Sequence, residues 1–154
     1  MSVEIKLAYA DIPVYQEMFD EYVAWLESEA CAQHHEEERN SLPGRYALPD
    51  GRLYLAWVDG KPAGCVALRR FDASRCEMKR LYVRPDFRGY GLAGRLVEQL
   101  LADALEIGYA SMLLDTMDFM QGARILYKKM GFVEIPPYYF NPYESVVFFE
   151  KKLR

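Results

Sequence analysis

One short segment, Arg88-Gly89-Tyr90-Gly91-Leu92-Ala93-Gly94, constrains the fold of this chain more than any other. It lies between a β-rich run ending at Val83 and residues 92–107, where Leu92, Leu96, Val97, Leu100, Leu101, Ala104 and Leu105 recur at helical spacing as one apolar stripe. Gly108 follows as a C-terminal stop. A strand, a glycine turn and a long one-sided helix need a sheet to cover the stripe, so the chain belongs to the α/β class. Glycines let backbone approach a ligand closely, and the first amides of a helix lack intrahelical partners. Together with the helix dipole they make a place for a phosphate. A plain helix start also tolerates glycine, but three glycines and an arginine at this junction favour the anion site.

The flanking sequence supplies the rest of the elements. Residues 3–9 alternate as a strand, and Asp11 with Pro13 opens a helix that Val14, Met18, Phe19, Tyr22 and Leu26 carry through residue 28. His34 to Asn40 reads as a second short helix. Strands are predicted over 53–58 and 62–70, joined by Asp59-Gly60 in a type I′ turn, and then over 75–83. After the long helix come a buried strand at 111–116, a helix at 120–130 ended by Gly131, and strands at 132–135 and 145–151. The order β-α-α-β-β-β-α-β-α-β-β predicts a mixed, mostly antiparallel twisted sheet of about seven strands flanked by about four helices. At 154 residues this is one domain, 1–154.

Charge and cysteine usage narrow the function. With 19 Lys and Arg against 23 Asp and Glu the chain has a net charge of −4, which argues against a nucleic-acid partner. Three separated cysteines, Cys31, Cys65 and Cys76, give neither zinc spacing nor an even disulfide set and read as reduced thiols of a cytoplasmic protein. Glu4 and Lys6 stand where a signal peptide would need apolar residues, and no stretch is apolar enough to span a membrane. A monomer or homodimer is expected.

Gly89, Gly91 and Gly94 also spell G-x-G-x-x-G, and Asp115 stands about 20 residues further on, as a nicotinamide-dinucleotide fingerprint asks. Three features weigh against that oxidoreductase reading. Arg84 to Arg88 separates the glycines from the strand end, one β-α-β unit alone follows, and about half the chain precedes the motif.

Arg88-Gly89-Tyr90-Gly91-Leu92-Ala93 instead resembles the [QR]-x-x-G-x-[GA] signature of the GNAT superfamily of N-acetyltransferases. Ala123-Arg124-Ile125-Leu126-Tyr127-Lys128-Lys129-Met130-Gly131-Phe132 resembles a second block of that family, A-x-x-x-Y-x-x-x-G-F, and the element order matches the family fold from end to end. The resemblance implies acetyl-CoA as cosubstrate, with its pyrophosphate on the amides of Arg88, Gly89, Tyr90, Gly91, Leu92, Ala93 and Gly94 and its pantetheine along Leu81, Tyr82 and Val83. It implies direct attack of an amine of a small molecule or peptide on the thioester. Tyr127 would be the acid for the leaving thiolate, since a phenol with a pKa near 10 can protonate a thiolate of similar basicity. Glu77, six residues before Val83, would be the general base, although it could equally be an ion-pair partner of Lys79 or Arg80. The alternative function is a non-catalytic CoA-binding regulatory or interaction module.

The chain departs from the family pattern at Met120, where asparagine often contacts the pantetheine. Lys79 and Arg80 are also unusual in a central strand, and their heads must reach water or a ligand phosphate. On the acceptor side, His34-His35-Glu36-Glu37-Glu38 reads as a solvated charged face; no metal is expected there, and its carboxylates could favour a cationic amine. Tyr138-Tyr139-Phe140 can wall an acceptor pocket, and Asp115 and Thr116 end their strand close to it.

Overall fold

A mixed seven-stranded sheet organises the computed structural model, which describes residues 1–26, 32–141 and 145–154. In chain order the elements are β1 (Val3–Leu7), α1 (Ile12–Leu26), α2 (Ala32–Asn40), β2 (Arg52–Val58), β3 (Lys61–Arg70), β4 (Arg75–Val83), α3 (Leu92–Ile107), β5 (Ser111–Met117), α4 (Gln121–Lys129), β6 (Val133–Ile135) and β7 (Val146–Lys152). Strand order across the sheet is β1-β2-β3-β4-β5-β7-β6, and every pairing is antiparallel except β4 with β5. No helix among the described residues is long and apolar enough to cross a membrane.

Local chemistry explains the turns. Asp59 and Gly60 have φ of +50° and +80°, the left-handed pair that a type I′ hairpin needs between β2 and β3. Gly108 takes φ +113° and donates to the carbonyl of Ala104 at 3.1 Å, closing α3.

Two apolar layers hold the helices to the sheet. On one face, Leu92, Leu96, Val97, Leu100 and Ala104 of α3 are buried with Val66, Leu68, Met78 and Leu114. On the other, Tyr15, Met18 and Phe19 of α1 cover Leu53, Leu55, Cys65 and Ala67. Each fully buried leucine contributes about 1.5–3 kcal/mol to holding a helix in place.

The feature that positions the site is where the sheet opens. β4 and β5 pair only from Arg75 to Glu77 against Ser111 to Leu113, while β5 stays paired with β7 from Ser111 to Met117. Beyond Glu77 the two parallel strands therefore diverge, and the β4 edge from Met78 to Val83 loses its β5 partner. On its other edge β4 carries one extra residue: Cys65 pairs with Tyr82 but Ala67 pairs with Lys79. This bulge puts Arg80 at φ +64°, a conformation that costs a non-glycine residue about 1–3 kcal/mol and is usual at functional sites.

Candidate active site

The opening between β4 and β5 is a cavity of about 690 Å³, walled by both strands, α1 and the start of α4. Leu81, Tyr82 and Val83 line it from β4, Arg88 and Ala93 from the glycine loop, and Tyr127 from α4. These six expected site residues are brought together. Gly89, Tyr90, Gly91, Leu92 and Gly94 belong to the same loop but do not line the cavity wall. Leu92 points its side chain into the core at 2% exposure.

The loop itself has the form of a backbone cradle. Gly89 and Gly91 have φ of +89° and +75°, and a Cβ at either would meet nothing within 4 Å. The first backbone bond back into the loop is Arg95 N to Gly91 O at 3.2 Å, so the amides of Leu92, Ala93 and Gly94 precede the helix ladder. The Arg88 side chain folds back instead of outward. Its Nε donates to Val83 O at 2.9 Å, and its guanidinium stacks over Trp25 at 5.2 Å.

Tyr127 is buried at 5% exposure between Phe132 and Phe149, and its hydroxyl has no hydrogen-bond partner among the described residues. Burial raises its pKa well above the usual phenol range, and the nearby charge of Asp115 adds to the effect. It stays a protonated phenol throughout the neutral range, and as an acid toward a thiolate it is weaker than the pKa near 10 expected from the sequence.

Glu77 sits elsewhere. It is 1% exposed and lines a second cavity of about 660 Å³ beside α2. Arg69 holds its Oε1 through Nε and Nη2, each at 2.8 Å, and the Tyr138 hydroxyl donates to Oε2. Both carboxylate oxygens are therefore engaged.

The two cationic residues that looked out of place in a central strand end in ion pairs with protein carboxylates. Lys79 Nζ lies 3.1 Å from Asp115 Oδ1 and 3.8 Å from Glu77 Oε2. Continuing the β4/β5 register two residues past its last pair sets Lys79 opposite Asp115, so a side-chain bridge spans the gap where main-chain pairing has stopped. Tyr139 donates to Asp115 Oδ2 and receives a bond from Asn141 at 3.2 Å. Burial works to raise the Asp115 pKa, but the Lys79 charge and the Tyr139 and Lys79 bonds outweigh it and hold the carboxyl below its usual range. Arg80 forks onto Glu38 of α2 at 2.8 and 2.9 Å, and Tyr46 donates to the same carboxylate at 3.0 Å. Burial pushes Glu38 up, yet those bonds leave it below the usual range too.

The charged stretch on α2 thus divides. Glu38 is tied to Arg80, Glu36 and Glu37 are exposed, and His35 packs edge-on against Phe19 with ring centroids 5.9 Å apart. The side chain of His34, with Cys31, Pro142 and Tyr143, lies outside the described residues. Met120 precedes α4 without capping it, and its sulfur accepts from Thr116 Oγ1 at 3.4 Å. Sequence reasoning gave no site role to Trp25, and it noticed Lys79 and Arg80 without resolving their partners. The run of two cations in a central strand was the available signal, but the carboxylates that answer it are distant in the chain.

Comparison with known proteins agrees with this architecture. Residues 14–132 match the family described as Acetyltransferase (GNAT) family. An uncharacterised N-acetyltransferase of Schizosaccharomyces pombe is 36% identical over 90% of this chain and 86% of its own length. Another, from Dictyostelium discoideum, is 32% identical over the whole of both chains. The PaiA N-acetyltransferase of Thermoplasma acidophilum, solved in complex with coenzyme A, superposes with a TM-score of 0.78 over 99% of each chain at 21% identity. From the glycine loop, the parted strands and these relatives together, the chain belongs to the GNAT family of acetyltransferases.

Proposed function

We propose that this acyltransferase moves the acetyl group of acetyl-CoA onto a primary amine of a small molecule or peptide, by direct attack in a ternary complex. The observation that carries the reading is the opening between β4 and β5. It is a cavity lined by Arg88 and Ala93 of the glycine loop and by Tyr127, and it shares Lys79, Arg80 and Tyr139 with a second cavity beside α2. The residues fit the cosubstrate. Open space over Gly89 and Gly91 and the unladdered amides of Leu92, Ala93 and Gly94 suit a pyrophosphate. The β4 edge at Leu81 to Val83, unpaired on its β5 side, offers backbone groups to an amide-bearing arm.

In this reading the acceptor nitrogen bonds to the thioester carbon, the carbon–sulfur bond breaks, and Tyr127 gives its proton to the departing thiolate. Glu77 is the base proposed for the amine proton, and it becomes available only when Arg69 or Tyr138 releases an oxygen. A Glu77→Gln variant distinguishes base from strut. A base loses kcat and the acidic limb of the pH profile, whereas a strut lowers Tm and leaves that limb in place.

The transfer itself is tested by following thiol release from acetyl-CoA with the purified protein and a broad panel of amines. Amine-dependent release that falls about 10²-fold or more in kcat in Tyr127→Phe supports the reading. Release unchanged in that variant removes Tyr127 from the mechanism. No release with any amine removes the transferase reading.

A further inference from the structure

Three residues line both cavities: Lys79, Arg80 and Tyr139. An acceptor amine reaching the thioester through the second cavity passes them, so their unspent hydrogen-bonding capacity bears on what the acceptor can be. Arg80 commits its fork to the two oxygens of Glu38. Tyr139 gives its proton to Asp115. Lys79 differs from both. An ammonium has three donors; Asp115 takes one at 3.1 Å, and Glu77 at 3.8 Å lies beyond hydrogen-bond reach. Among the described residues, Lys79 thus keeps donor capacity at the place the two cavities share.

The surrounding buried carboxylates are already paired with cations. The second cavity is lined by the cations Arg45, Arg69, Lys79 and Arg80 and by the carboxylates Glu37, Glu38 and Glu77. Glu38 is matched by Arg80, Glu77 by Arg69, and Asp115 by Lys79 itself. Glu37 and Arg45 are both exposed. Among the described residues lining the two cavities, each buried carboxylate already has a cationic partner, and a second ammonium at the junction would face Lys79 and Arg80 together.

Building on the transferase reading above, we propose that the acceptor is an amine carrying a carboxylate close to its nitrogen, as an amino acid does, and that Lys79 receives that carboxylate at the junction. A carboxylate bound there adds a charge-assisted bond in a partly dry site and leaves an adjacent nitrogen at the opening between β4 and β5. The three glutamates of α2 then do not select a polycation: Glu38 is committed to Arg80, and the other two face solvent.

The test is a matched panel of L-amino acids, their carboxamides and the corresponding decarboxylated amines, with putrescine and spermidine alongside, assayed by thiol release. The expected result is a kcat/KM for the acids on the order of tenfold or more above their amides and decarboxylated forms, carried mainly in KM. Lys79→Gln should erase that preference while the KM for acetyl-CoA stays within about threefold of its starting value, and Lys79→Arg should restore part of it. Because Lys79→Arg keeps a cation opposite Asp115, it also guards against a Lys79→Gln variant that fails to fold. Equal rates for acids and amides, or polyamines as the best acceptors, would overturn the proposal while leaving the transferase reading intact. An equal kcat loss for acids and amides in Lys79→Gln would also overturn it, because Lys79 would then serve the transfer step itself. Silence from every amine would overturn both readings, whereas silence from the amino acids alone overturns this one.

Discussion

The two cavities that meet at Lys79, Arg80 and Tyr139 are built from different materials. The proposed donor side is made of backbone: a loop with glycines at positive φ, helix amides ahead of the hydrogen-bond ladder, and a strand edge whose neighbour has turned away. The proposed acceptor side is made of side chains joined in ion pairs, Arg69 to Glu77, Lys79 to Asp115 and Arg80 to Glu38, with Tyr138, Tyr139 and Tyr46 donating to those three carboxylates. A backbone site tolerates side-chain change but not a changed φ. A site of paired charges tolerates backbone settling but not the loss of one partner, which strands the other.

Substitutions that break one region and spare the other sharpen this contrast. The largest effect belongs to the half-buried Glu38–Arg80 pair between α2 and β4. Glu38→Ala leaves the Arg80 guanidinium without its partner, should cost about 3–5 kcal/mol, and should lower Tm by on the order of 10 °C in calorimetry. Next is Tyr127→Phe, expected to reduce kcat by about 10²-fold, near 3 kcal/mol of barrier, with Tm nearly unchanged because the ring packing survives. Gly91→Val forces a β-branched residue toward φ +75° at a cost of about 1–2 kcal/mol. Loop displacement of that size should weaken acetyl-CoA binding by on the order of tenfold, read by titration calorimetry.

The smallest effect is a pH dependence. The folded-state pKa values of Glu38 and Asp115 lie below their unfolded ones, so the stability they add is present in full above the usual carboxylate range and is lost as pH falls through the lower folded values. Tm should therefore hold from about pH 8 to pH 5 and decline below about pH 4. In Asp115→Asn the decline should be shallower.

The same difference decides how much could be read in advance. The α3 stripe, the Asp59-Gly60 hairpin and the glycine loop were legible because each is a local pattern whose physics is complete within a few residues. The element order and the sheet class followed from such local readings. The acceptor network was not legible. Arg80 finds Glu38 across 42 residues, Lys79 finds Asp115 across 36, and Tyr138 finds Glu77 across 61. Nothing local marks these pairs. The bulge that turns Lys79 and Arg80 toward their partners adds a residue that strict alternation along β4 does not foretell. Glu77 was recognised as a carboxylate of interest, but its partners, Arg69 and Tyr138, had to be seen.

The most direct test of a backbone-built donor site beside a side-chain-built acceptor site is calorimetric titration of acetyl-CoA into the unaltered protein, Gly91→Val and Lys79→Gln. The expected result is a Kd raised on the order of tenfold in Gly91→Val and left within about threefold in Lys79→Gln. A Kd that is insensitive to Gly91→Val but collapses in Lys79→Gln would contradict the division and place the donor among the paired charges.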